Sequence, residues 1–441
     1  MHPLSSFDPY SWEEPIYKAS ANGSCPRIGL EMEFHGYHAK TLEPLGTSLS
    51  ESYTPQQLLR EASALGGGKI KTDESTGELT GVSLSTGGNF SLEPGGQIEY
   101  SSAPFKSLEE VAEDTYHGLQ LLENAAAGKV LFLSHGTNPL TAPTHPLLVP
   151  KQRYQIMTRY FESNPPALRG IHMMRHSATI QPNLDVIGEH DWQDAVDLTL
   201  TLVPLTRYLF ANSAFFQGQR SNFLSERQEI WRKMDPSRSG IPYGVPFHHQ
   251  TAAAYAEWAK QAFVYMIPQL SLEEQPLYGE LTFEQWLTKG YRNTFPSVED
   301  WHLHVGTLFP ELRLRHFLEV RHLDAQPFSY SLTPIAFFSI LIQFPNSRAQ
   351  TWKFLQQFGK TPRQILADPY GDYSIYHRPL LALAQELAAA RNLTFYSKLI
   401  SRYLQFYNNK TSYWNAKDAS SFVASCGTLK PAQQFLDQIN N

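Results

Sequence analysis

Polar and apolar residues alternate along Arg27–Phe34, RIGLEMEF, and the same character returns in Thr80–Ser85, TGVSLS, and in Asn89–Ser101, NFSLEPGGQIEYS. That period of two predicts strands, and the Thr86-Gly87-Gly88 turn between the later two predicts an antiparallel hairpin. Ser107 followed by Glu110 has the capping-box spacing, so a helix is expected over Leu108–Ala127, ending near Gly128. A second helix is expected from about Trp192 to Phe210, kinked at Pro204, before a loop at Ser213–Gly218. From Arg348 onward the pattern is helical and reads as a supporting layer. The fold class that follows is α+β, a curved antiparallel β-sheet with surrounding helices and a helical C-terminal region. Residues 1–345 are expected to form the catalytic region, with 346–441 packed on it as part of one structural unit.

Composition narrows the class of function. With 41% hydrophobic and 18% charged residues the chain has ample core material, and its formal net charge of -6 argues against nucleic-acid binding. Cys25 and Cys426 are too few and too far apart for a zinc site or a disulfide framework. The most apolar stretch, Ile335–Phe344, is shorter than the about 20 residues a bilayer span needs, so it is expected in the core and no membrane is expected as a partner. The N-terminal MHPLSSFDPYSWEEPIYK is polar and acidic, unlike an export signal, and a cytoplasmic protein is expected. No GxxxxGK[ST] or GxGxxG pattern is present. ATP, if bound, must be held by metals and arginines.

Several polar sets could carry chemistry. Glu31 and Glu33 fall two apart and project to one strand face, where they are either solvated or gathered round a hard cation such as Mg2+. Glu93 and Glu99 flank Pro-Gly-Gly, with Gln97 and Glu99 sharing a face: a second acidic edge, or a Gly-rich turn with solvated acids. Thr179, Gln181 and Asn183 alternate in HSATIQPNLD as a hydrogen-bonding face suited to an amino acid or a metal-bound ligand, or as a solvated strand in which Pro182 would mark an edge or a bulge. In FPELRLRHFLEVRHLD, extended backbone would put Arg313 with Arg315 and Glu319 with Arg321, a clamp for a transferring phosphoryl group. A helical backbone would instead make Glu311 and Arg315 an ordinary surface pair. Arg227 and Trp231, four apart on a helix, could bind a carboxylate or simply stack. The paired histidines, His248 with His249 and His302 with His304, lack ligand spacing and are expected in structural or surface roles.

Taken in order, GLEMEF, LEPGGQIEYSSAP, PKQRYQIMTRYF, MMRHSATIQPNLD, LFANSAFFQG, FLSERQEIW, SRSGIP and FPELRLRHFLEVRHLDAQP resemble the plant-type glutamate–cysteine ligase family of the glutamine synthetase-like carboxylate–amine ligases. The resemblance implies ligation of the glutamate γ-carboxylate to the amine of cysteine through a γ-glutamyl phosphate, with ATP as co-substrate and Mg2+ as cofactor. It implies that Glu31, Glu33, Glu93, Glu99 and Glu319 hold metal, and that Thr179, Gln181, Asn183, Arg227, Trp231 and Arg153 bind substrate. Arg313 and Arg321 would then face the phosphates. The plant pattern has a cysteine where Ser177 stands, so its redox control is not implied. A different acceptor amine, a phosphotransferase, or a non-catalytic sensor on the same fold are the rival readings.

Overall fold

The computed structural model describes residues 10–13, 15–17, 25–46, 53–140, 149–163 and 169–440. Most of the N-terminal segment read for an export signal lies outside them. Among the described residues, the centre of the molecule is a nine-stranded sheet in which every pairing is antiparallel. Its strands are β1 (Ile28–His38), β2 (Lys69–Thr72), β3 (Leu79–Ser83), β4 (Asn89–Leu92), β5 (Ile98–Ser101), β6 (Val130–Leu133), β7 (Ile180–Leu184), β8 (Leu312–Leu314) and β9 (Leu318–Val320). They run in the order β8-β9-β7-β1-β5-β4-β3-β2, with β6 on the far end of β1.

Alternation along each strand gives the sheet two unlike faces. On one, Leu30, Met32 and Phe34 of β1 meet Pro182 and Ile180 of β7 and Tyr100 and Ile98 of β5, and all but Pro182 belong to the main core. Onto this face pack α1 (Pro55–Gly66), α2 (Leu108–Ala126) and the wholly buried α7 (Thr333–Ile342). The other face carries Glu31, Glu33, Glu99, Gln181, Asn183, Arg313 and Glu319. It is roofed by α3 (Gln152–Glu162), α4 (Gly170–His176) and α6 (Glu226–Arg232), which all contribute to one cavity. α5 (Glu189–Thr206) belongs to the same core through Trp192, Leu198 and Leu205.

The expected hairpin is β3–β4, and α2 carries the reciprocal cap between Ser107 and Glu110. Two local expectations fail. α5 ends at Thr206 instead of Phe210, two residues past Pro204, whose ring removes a helical N–H donor. Pro182 is neither at an edge nor in a bulge, because β7 lies between β1 and β9 and its register with β1 runs unshifted through Leu30 and Pro182. It is tolerated there because Leu30, opposite it, turns both backbone groups toward Ser102 and asks β7 for no donor. On its other side the β9 pairing covers Asn183 and Leu184 and stops short of Pro182.

The C-terminal part adds α8 (Ser374–Ala390), α9 (Thr394–Asn408) and α10 (Pro431–Asn440). Leu380, Tyr403 and Phe435 from these helices share the main core with the β1 residues. Gln438 fastens the last helix by accepting from Leu332 N and donating to Phe328 O.

Candidate active site

Strand register assembles the site as rows across the polar face. In the first row Arg313, Glu319 and Asn183 are cross-strand neighbours on β8, β9 and β7. In the second, Gln181 stands opposite Glu31, and Glu31 opposite Ser101. In the third, Glu33 stands opposite Glu99, and Glu99 opposite Ser91. Thr179, just before β7, donates its N–H to Glu33 Oε2 at 3.0 Å. Glu93 enters from the β4–β5 turn, which is clamped to α4: Gln97 Nε2 donates to Ser177 O at 2.8 Å and to Met174 O at 3.3 Å.

The rows and their roof enclose a cavity of about 300 Å³. Of the residues expected at the site, all but Asn183 and Glu319 line it. Asn183, expected to contact substrate, is not in the lining and donates to Glu31 Oε1 at 3.3 Å. Glu319 departs further from the metal-ligand expectation. Its oxygens are taken up by Arg313 at 3.0 Å, Arg315 at 3.2 Å and Arg321. Although burial opposes its ionisation most strongly, the Arg313, Arg321 and Arg315 charges together hold its carboxyl at about 2. Glu319 is the shared counter-charge of three arginines.

The remaining four glutamates behave oppositely. Burial, then repulsion from Glu319 and Glu99, pushes Glu31 up to about 8. Burial and Glu93 push Glu99 up to about 7. Glu33 is raised by burial, Glu93 and Glu99; Glu93 is raised by burial against the opposing charges of Lys151 and Arg153. Among the described residues no three acidic, histidine or cysteine side chains form a finished cage. Four carboxylates spread round one cavity nevertheless fit Mg2+, which takes few protein ligands and completes its octahedron with water and substrate phosphates.

Arg227 and Trp231 stack as their spacing predicted, 4.8 Å from guanidinium to ring, but inside the molecule. Arg227 donates one Nη2 bond to Arg321 O at 2.9 Å, while its Nε and Nη1 have no partner, and neither has Trp231 Nε1. A buried guanidinium with idle donors at a cavity wall leaves two N–H directions open to an acceptor in the cavity. Arg153, on α3, donates to Gly306 O at 3.2 Å and leaves its Nε idle.

The structure also recruits residues the sequence reading missed. Lys151 Nζ bonds Leu92 O and Tyr154 Oη, both at 3.1 Å, beside Glu93; its place two residues before Arg153 was the available signal. Met157, Met173 and Met174 supply an apolar wall from α3 and α4. Nothing in the run of sequence distinguishes them from core methionines.

The sequence pattern of glutamate-cysteine ligase family 2 (GCS2) matches residues 27–369. The chain belongs to this family. It is 30% identical over 316 residues to the chloroplastic glutamate–cysteine ligase of Arabidopsis thaliana, an alignment covering 68% of this chain and 56% of that one. With the chloroplastic enzyme of Solanum lycopersicum the identity is 27% over 387 residues, covering 82% and 69%. The chain thus spans 56% of the Arabidopsis relative and 60% of the Oryza sativa ligase A. A solved glutamate–cysteine ligase from Francisella tularensis, in complex with AMP, superposes with a TM-score of 0.53 at 12% identity, covering 95% of this chain and 90% of that chain. That likeness is one of fold and agrees with the expected α+β, glutamine synthetase-like class. The expected cytoplasmic location does not stand: the plant relatives are named as chloroplastic proteins, and a polar N-terminus does not place a member of this family in the cytoplasm.

Proposed function

We propose that the chain is an ATP- and Mg2+-dependent ligase that joins the γ-carboxylate of glutamate to the amine of L-cysteine, giving γ-glutamylcysteine, ADP and phosphate. The observation that carries this reading is the union, in one cavity, of four carboxylates, an arginine cluster and a separate buried guanidinium with idle donors. The family and the printed names of the relatives support the choice of substrates.

A carboxylate is a poor acyl donor. Transfer of the ATP γ-phosphoryl group to the glutamate side chain makes an acyl phosphate, and attack by a neutral amine then forms the amide as phosphate departs. Glu31, Glu33, Glu93 and Glu99 would hold Mg2+, which would supply neutralisation of the negative charge that the two anionic reactants bring together. Arg227, stacked on Trp231, receives the α-carboxylate of glutamate, with Thr179 and Gln181 beside it. Arg321 and Arg313, fixed by Glu319, face the transferring phosphoryl group, where fixed cations need no reorganisation. Arg153 and Lys151 offer positive charge beside Glu93 for a second carboxylate or phosphate. The cavity-lining residues run from Glu31 to Arg321, which supports a catalytic region within 1–345 and a supporting role for 346–441.

The test is ADP release by the purified protein with Mg2+, ATP and glutamate, comparing cysteine with 2-aminobutyrate, alanine and no acceptor, with products identified by mass. Fastest turnover with cysteine and formation of γ-glutamylcysteine are expected. Preference for another amine would overturn the acceptor, and acceptor-independent or absent ADP release would overturn the ligase.

A further inference from the structure

Three residues of the motif segments have no part in the mechanism above: Ser213 in LFANSAFFQG, Ser225 in FLSERQEIW and Asp324 in VRHLDAQP. In the fold they meet. Asp324 is fully buried; its Oδ2 accepts from Asn212 N and Ser213 Oγ, both at 2.7 Å, and its Oδ1 accepts from Ser225 Oγ at 2.9 Å. The two serines pass the contact on to α6: Ser213 Oγ accepts from Arg227 N, and Ser225 Oγ from Gln228 N, each at 3.1 Å. The Asp324 backbone meanwhile pairs with Thr179, whose hydroxyl donates to Leu323 O at 2.6 Å. Just upstream, Arg321 O accepts from Arg227 Nη2. One carboxylate therefore sits at the junction of the strand end that carries Arg321, the residue Thr179 and the first turn of the helix that carries Arg227.

Its surroundings fit a fixed device. Lys410, from the C-terminal helical part, is a second cation facing Asp324; its Nζ lies 5.4 Å from the Trp414 ring and 5.7 Å from the Tyr403 ring and donates to Leu209 O at 3.1 Å. Gly136 leaves no slack on the remaining side, since a Cβ there would come within 2.7 Å of Asp324 Cγ. Replacing such a group leaves buried hydroxyl and amide donors without an acceptor and frees the helix they hold.

We propose that Asp324 is the positioning residue for Arg227, acting through Ser213 and Ser225 to hold its guanidinium at the glutamate carboxylate. The inference rests on the glutamate-binding reading of Arg227. The experiment compares the wild type with Asp324→Asn, Arg227→Lys and the double variant, measuring KM for glutamate and for ATP, with hydrogen exchange of the 225–232 segment on the same proteins. Expected are a rise of about tenfold or more in the glutamate KM of D324N with the ATP KM nearly unchanged, and little further loss when D324N is added to R227K. Exchange in 225–232 should accelerate while β1 and β7 stay protected. Equal rises in both KM values, additive losses in the double variant, or unchanged exchange in 225–232 would overturn the proposal. A wild type without amine-dependent ADP release bears on the function itself, and the exchange result still decides whether Asp324 fixes the helix.

Discussion

At Glu99 the chemistry proposed for the site and the stability of the fold pull in opposite directions. The carboxylate stands opposite Glu33, is raised by burial and by Glu93, and is steadied by Ser91 Oγ at 2.8 Å and Ser101 Oγ at 3.0 Å. Glu99→Gln keeps an acceptor for both serines and removes one of the mutually repelling charges. At pH 7.5 without divalent metal, the substitution should stabilise the protein by about 1–3 kcal/mol, read as a higher urea midpoint at unchanged m-value. The same change should lower Mg2+-dependent turnover by about 100-fold, because the proposed metal site loses a ligand. A Glu99→Gln protein that is less stable in EDTA would show that Glu99 is held by attraction, and would remove the electrostatic argument for a cation there.

The β4–β5 turn shows how an element fixes a functional side chain. Gly95 lies so close to α4 that an added Cβ would sit 2.2 Å from Arg175 O, a backbone atom that cannot swing aside. Gly95→Ala should therefore displace the turn, and Glu93 with it. Expected are a loss of stability of about 2 kcal/mol or more in urea titration and a raised Mg2+ requirement for ADP release. Wild-type values for both would show that the turn has room to shift. At this scale the polar face of the sheet was legible, because a period of two assigns Glu31, Glu33, Gln97, Glu99, Thr179, Gln181 and Asn183 to faces before any contact is known. Cross-strand distance was not. The spacing of Glu319 could not show that three guanidiniums would close on it, nor could Pro182 show that its neighbour needed no donor. Lys151, the three methionines and Asp324 reach the site from helices and strand ends whose orientation is set by tertiary packing, where a pattern along the chain has no purchase.

Two families of buried titratable groups give the whole molecule opposing pH dependences. Burial lowers His35 and His304 to about 3 and His135 and His377 to about 4, against about 6.5 in an unfolded chain. Below pH about 6.5 the unfolded state thus binds more protons, and the stability these neutral rings confer is lost as pH falls toward their folded values. His304, packed against Phe283 and Trp301 and bonded to Ala259 O at 2.9 Å, shows the cost: a charged ring there would be buried and would face the Arg238 charge. Glu31 and Glu99 act in the other direction. Their folded values of about 8 and about 7 lie above those of unfolded glutamate, so their contribution is complete at low pH and is lost as pH rises through them. In EDTA, Tm should peak between about pH 5 and 6.5 and fall on both sides. In excess Mg2+ the acid limb should remain, since the histidines away from the cavity do not sense the ion. The alkaline limb should flatten, because a cation among the carboxylates favours their charged form. Tm profiles at several pH values with and without Mg2+ check both limbs. If Mg2+ shifts Tm equally at pH 5 and pH 8, the ion binds elsewhere than the four-glutamate cavity, whose affinity must weaken as its ligands take up protons.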